Sequence, residues 1–136
     1  MNKPKIAFDM DGVFLPDYNH IPNFSEEEFF AQTLYAKPLF MPVYDYEVIT
    51  GRYEQWRNIT EQWFDQLVNQ PKTIHMRPQH MKSSKKYKAE KLLKNPHIEI
   101  YVESELETVE YLKEHVNIQV IHYNEFVTSK ILSLRQ

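Results

Sequence analysis

Two aspartates one residue apart, Asp9 and Asp11, stand at the end of an apolar run and are followed at once by Gly12, in the stretch FDMDGVF. Like charges so close repel, and a carboxylate pair there costs stability unless something compensates. A cation would compensate; a reaction that needs two acids would also account for the pair. Two further polar clusters share this setting. Thr50, Gly51 and Arg52 close the run YDYEVIT, and Glu103, Ser104 and Glu105 follow IEIYV. The chain has only two glycines, Gly12 and Gly51, and each adjoins one of these clusters. Glycine is used where backbone turns tightly or approaches a ligand closely, so both positions point to function.

The elements that must position these residues alternate along the chain. Short runs rich in branched and aromatic residues predict strands at 5–10, 44–50, 72–76, 98–102 and 118–123. Between them lie helical periods. Trp56, Ile59, Trp63, Phe64 and Leu67 fall three and four residues apart, as do Leu106, Val109, Leu112 and Val116, and then Phe126, Val127, Ile131 and Leu134. Ser25 with Glu28 is a capping-box pattern and predicts a helix from about Glu26. A helix starting near Ser83 or Ser84 would turn Lys88 to the same face as Leu92, one turn nearer its start. Lys85 could also reach inward, whereas Lys86 and Lys91 should face solvent.

Strands alternating with helices imply an α/β fold, a three-layer Rossmann-like parallel sheet flanked by helices. Ligands of such sheets bind beyond the carboxyl ends of the strands, where the three polar clusters should meet. The 136 residues suit a single domain spanning 1–136. With 42% hydrophobic and 26% charged residues the composition is that of a globular protein, and a net charge of −3 gives no global attraction for nucleic acid. There are no cysteines, which removes disulfides, thiolate metal sites and cysteine nucleophiles. No apolar stretch reaches the length of a membrane span or of a signal-peptide core, so the expectation is a cytoplasmic protein with no membrane partner. The six histidines show no metal-ligand spacing, and HMRPQH reads as loop.

With these motifs in order, the chain resembles the haloacid dehalogenase superfamily of phosphohydrolases. Asp9-Met10-Asp11-Gly12 matches its opening motif, Thr50 its second, Lys88 its third and YVESE its acidic fourth. More narrowly, TGRYEQWRNITEQWF with the later MRP and a lysine looks like the phosphatase domain of phage polynucleotide kinase-phosphatases. The resemblance implies Asp9 as nucleophile and Asp11 as general acid and base. It implies a phosphorylated substrate whose oxygens are met by the Thr50 hydroxyl and the Gly51 amide, and Lys88 as charge balance. Arg52 is a further substrate-binding candidate at the same edge. It also implies Mg²⁺ held by the Asp9 carboxylate, the Asp11 carbonyl and a fourth-motif carboxylate, here Glu103 with Glu105 as runner-up.

The superfamily often inserts a cap domain where this chain has residues 14–42. About one helix and several prolines stand there, so a minimal cap or none, and an open site, are expected. An open site favours a bulky phosphorylated substrate such as a nucleotide or nucleic-acid end. Lys82, Lys85, Lys86, Lys88, Lys91 and Lys94, with Arg52, Arg57 and Arg77, would make a backbone track if not simply a solvated face. The competing classes are a non-catalytic binding or regulatory protein of the same fold and a small 5′-deoxynucleotidase, among which FDMDGV also occurs.

Overall fold

Every strand of the sheet runs parallel to its neighbours, and the order places the first strand at the centre. The computed structural model describes residues 3–18 and 25–134. Strands β1 (Ile6–Phe8), β2 (Glu47–Tyr53), β3 (Ile74–Arg77), β4 (Ile100–Glu103) and β5 (Gln119–His122) form one sheet in the order β3-β2-β1-β4-β5. Among the described residues five α-helices accompany them: α1 (Glu26–Gln32), α2 (Arg57–Asp65), α3 (Ser84–Lys94), α4 (Leu106–His115) and α5 (Tyr123–Leu134). The chain therefore builds outward from β1 to β3, then returns to the other side of β1. That reversal opens a crevice at the carboxyl ends of β1 and β4, where open α/β sheets take their ligands.

Strand alternation divides the core in two. Phe8, Val48 and Val102 enter one layer with Trp63 and Phe64 of α2 and Phe126 of α5. Ala7, Ile49 and Tyr101 enter the other with Tyr87 and Leu92 of α3 and Val109 and Leu112 of α4. Successive strand residues point to opposite faces, so the three-layer α/β architecture follows directly from the sequence pattern. Ile131 and Leu134 lie in α5, but their side chains are outside the described residues.

Several boundaries differ from expectation. β2 continues past Thr50 to Tyr53, its pairing with β3 shifting between Thr50 and Tyr53, so Gly51 and Arg52 sit in an irregular stretch of strand. A 3₁₀ turn, Glu54–Trp56, precedes α2 and leaves Trp56 off that helix, its ring 5.5 Å from Phe30. HMRPQH is not all loop, because β3, expected to end at Met76, runs on to Arg77. Ser25 accepts from the Glu28 amide as the capping pattern predicts, and Ser83 caps α3 through the Lys86 amide.

At the amino edge of the sheet the fold joins two histidines that sequence spacing left apart. Both carboxylate oxygens of the buried Glu47 are engaged, by His75 and His97 Nε2 at 2.7 Å each. This ties the start of β2 to β3 and to the loop before β4. Among the described residues no helix is long and apolar enough to cross a membrane.

Candidate functional site

The carboxyl ends of β1, β2 and β4 and the start of α3 surround a cleft of about 270 Å³ lined by Asp9, Asp11, Thr50, Gly51, Arg52, Lys88 and Glu103, among others. These seven residues singled out in the sequence therefore meet in one place. Their orientations were not all foreseen.

Asp9 leaves β1 on the face of Ala7, toward α3. One carboxylate oxygen accepts from the Met10 amide at 2.8 Å and lies 3.2 Å from Lys88 Nζ. The other accepts from the Ser104 hydroxyl at 2.8 Å. Asp11 faces the other way. Arg52 grips it with two parallel bonds, Nε at 2.9 Å and a terminal nitrogen at 2.8 Å. The third guanidinium nitrogen donates to Thr60 at 3.1 Å, and the guanidinium carbon lies 3.8 Å from the centroid of the Phe30 ring. Arg52 is thus buried and committed to Asp11, where a substrate-binding side chain was expected. The cause is the fork geometry of guanidinium on carboxylate, which a buried acid satisfies more completely than a solvated anion does. Burial outweighs that pairing and raises the Asp11 pKa above the usual carboxylate value.

Lys88 is the inward lysine of α3, as its spacing from Leu92 predicts. Lys86 is exposed, and Lys85 turns to Glu107 at 3.0 Å. Lys88 Nζ lies 2.8 Å from Glu103, so one ammonium faces two carboxylates. Burial works against the ammonium, yet Asp9 and Glu103 together hold its pKa above the ordinary lysine value. Glu103 answers the deficit from the other side. Burial first, and then the charge of Asp9, push it up to about 8 against the pull of Lys88.

Glu103 was expected to hold a cation beside Asp9; the structure puts it on the face of Asp9, with Lys88 shared between the two. Alternation along β4 puts it on the face of Tyr101, under α3. One oxygen takes Lys88 and lies 3.2 Å from the Tyr101 hydroxyl, which also reaches the Ile49 carbonyl at 2.9 Å; the other takes the amides of Ser104 and Glu105 at 3.1 and 3.0 Å. The next residue, Ser104, reaches the first motif as well. Its hydroxyl lies 2.8 Å from Asp9 Oδ2 and 2.9 Å from the Asp11 carbonyl. Gly12 makes the room, because a Cβ there would come within 2.5 Å of Ser104 Cβ and Oγ, and its φ of 91° favours glycine as well. His122 fixes Ser104 from behind, donating Nε2–H to its carbonyl at 3.0 Å while Nδ1 accepts from the Asn124 amide.

Among the described residues no three carboxylate or imidazole side chains are grouped to hold an ion. An ion at the first motif would draw instead on Asp9 Oδ2, the Asp11 carbonyl and Ser104 Oγ. These are oxygen donors of the kind Mg²⁺ accepts, with one carboxylate rather than two.

Thr50 is buried, and its hydroxyl accepts from the Arg52 amide at 3.1 Å. A side chain on Gly51 would run into Ser84 at the start of α3, so glycine permits that close approach. Arg77, placed in a loop by the sequence reading, instead braces this edge from β3. It donates to the carbonyls of Gly51 and Lys82 at 2.9 and 2.7 Å and stacks 4.0 Å over Tyr53. Arg57 pairs with Glu54 and Glu61, and Lys94 with Glu90, so several cations of the suggested track are already engaged. Asp17 and Tyr18 line the cleft from the segment where a cap would stand. Sequence reading passed over Ser104. Period-two counting puts Glu103 on the face of Tyr101 and Asp9, and the contact of Ser104 with the first motif, made just past the end of β4, has no such periodic signal. Compared with protein-family models, with curated proteins and with solved structures, the chain finds no match in any of the three.

Proposed function

We propose that the protein is a phosphomonoester hydrolase of the haloacid dehalogenase type that works through a phosphorylated Asp9. The observation that carries this reading is the convergence of Asp9, Asp11, Thr50 and Lys88, from three separate elements, on one cleft. An Asp9 oxygen attacks phosphorus, and the bond to the leaving oxygen breaks as Asp11 gives that oxygen its proton. A water then loses a proton to Asp11 and attacks the same phosphorus. The Asp9–phosphorus bond breaks, releasing phosphate and restoring both aspartates. Thr50 and the Gly51 amide donate to the phosphoryl oxygens, and Lys88 balances the charge on Asp9. A bound magnesium ion supplies further compensation for the phosphoryl charge.

In this reading Arg52 is a positioning residue that aims Asp11. Arg52→Lys keeps the charge and loses the fork. Turnover should fall about 10–100-fold with KM little changed, as expected when only transition-state geometry suffers. A rise in KM at unchanged kcat would return Arg52 to the substrate.

The second reading is a protein that binds a phosphorylated ligand without turnover. It is favoured by the replacement of a second ligand carboxylate by the Ser104 hydroxyl. A phosphate-release screen with Mg²⁺ separates the two, using nucleotides, 3′-phosphorylated oligonucleotides, sugar phosphates and phosphopeptides. Release from any class that disappears in Asp9→Asn supports the hydrolase. Binding without release across the panel supports the other reading.

A further inference from the structure

Ser104 is the one residue of the fourth cluster whose side chain touches both the Asp9 carboxylate and the Asp11 carbonyl, at 2.8 and 2.9 Å. Its hydroxyl has a single proton and can give it to only one of these oxygens at a time. The same spacing serves a second arrangement. Oxygens about 2.0–2.1 Å from an octahedral cation stand about 3 Å apart along each edge. Both distances from Ser104 match such an edge, so rotating its hydroxyl exchanges a hydrogen bond for a lone pair offered to an ion.

What this donor set lacks is charge. Of its three oxygens only that of Asp9 belongs to a carboxylate, and Asp9 already shares Lys88 with Glu103. Asp11 is neutralised by Arg52. Glu103 is held in place by Lys88 on one oxygen and by the Ser104 and Glu105 amides on the other. Glu105 lines the cleft too, but one of its oxygens takes the Thr108 hydroxyl at 2.7 Å, and among the described residues no contact joins it to the first motif. A magnesium ion dehydrates reluctantly, and one carboxylate with two neutral oxygens repays that cost poorly.

We infer that Ser104 makes cation and anion binding interdependent: the cleft takes Mg²⁺ weakly until a phosphate oxygen supplies the missing negative ligand, so the substrate enters with its metal. This rests on the phosphatase reading for the identity of the anion. It goes beyond that reading in making Ser104 the residue that sets the coupling. Coupling between two ligands is reciprocal, which gives two independent measurements of one number.

The test is calorimetric titration of the metal-free protein with Mg²⁺, with and without inorganic phosphate, and with phosphate, with and without Mg²⁺. Each ligand should tighten the other by the same factor, about tenfold or more. Ser104→Asp supplies the missing charge and should bind Mg²⁺ about tenfold tighter without phosphate, with coupling reduced to a few-fold. Mg²⁺ binding that phosphate leaves unchanged in the unaltered protein overturns the inference, and so does a folded Ser104→Asp with unaltered Mg²⁺ affinity. The added bulk beside Gly12 could prevent folding of that variant. Ser104→Ala is smaller and should weaken Mg²⁺ several-fold in the presence of phosphate while leaving phosphate alone unaffected; an alanine variant indistinguishable from the parent also overturns it. None of these readouts requires turnover. Coupling in a protein that releases no phosphate would sink the hydrolase reading alone, and an active protein that binds Mg²⁺ tightly by itself would sink only the coupling.

Discussion

Asp9→Asn should abolish phosphate release while leaving the thermal midpoint equal to or above that of the parent. The loss follows from removing the proposed nucleophile, where effects on the order of 10⁴-fold or more are expected. The retained stability follows from charge. One ammonium, Lys88, now serves two buried carboxylates, Asp9 and Glu103. Asparagine has the same shape and leaves Lys88 with Glu103 alone, a balanced pair. Its carbonyl oxygen can still take the Met10 amide, and its NH₂ can donate to the Ser104 hydroxyl, which then gives its own proton to the Asp11 carbonyl. Phosphate release by malachite-green assay and a thermal melt of the same preparation decide the matter. Residual release near the parent rate would exclude the covalent mechanism; a midpoint several degrees lower would mean that the Asp9–Lys88 pair is a net stabiliser.

Lys88→Met should behave in the opposite way on stability and in the same way on activity. Methionine fills much of the lysine stem's volume but leaves Asp9 and Glu103 facing each other without a cation. Removing one partner of a buried pair typically costs about 3–5 kcal/mol, and a charge-balancing group of the proposed transition state is lost as well. Turnover should fall by about two or more orders of magnitude. Lys86→Ala, on the exposed side of α3, serves as the control and should cost little. The pH dependence has a definite sign. A carboxyl whose folded pKa is raised loses stability as pH climbs from its unfolded value through its folded one. Glu103 is already pushed up to about 8 with Lys88 in place, and its pKa goes higher without it. The midpoint of the variant should therefore fall as pH is raised from about 5. It should keep falling above about 8, where in the parent the ionised Glu103 still has Lys88. A variant as stable as the parent across this range would show that the ammonium does not hold the cluster together.

Much of the architecture was legible before any coordinates. Alternating branched-aromatic runs and helical periods specified a parallel sheet between two helical layers, since a strand buried on both faces must be apolar throughout. Two glycines beside polar strand ends marked the edge that holds the cleft. The spacing of Lys88 from Leu92 selected the inward lysine, because residues four apart share a helix face. These are local relations, carried by periods of two and of 3.6 residues.

The contacts that decide the chemistry are not local. Arg52 lies 41 residues from Asp11 and reaches it only because β2 is laid beside β1. Ser104 lies 95 residues from Asp9 and meets it because β4 takes the other side of β1. His75 and His97 share Glu47 because β3 and the loop before β4 reach the same edge. Sequence alone named the acids and bases of the cleft and the strands that carry them. Which carboxylate received which cation was settled by strand order, and the contact of Ser104 with Asp9 and the Asp11 carbonyl by the turn of the chain where β4 ends at Glu103. Backbone past the last ladder pair no longer follows the strand's alternation, so no period in the sequence foretells where its side chains point.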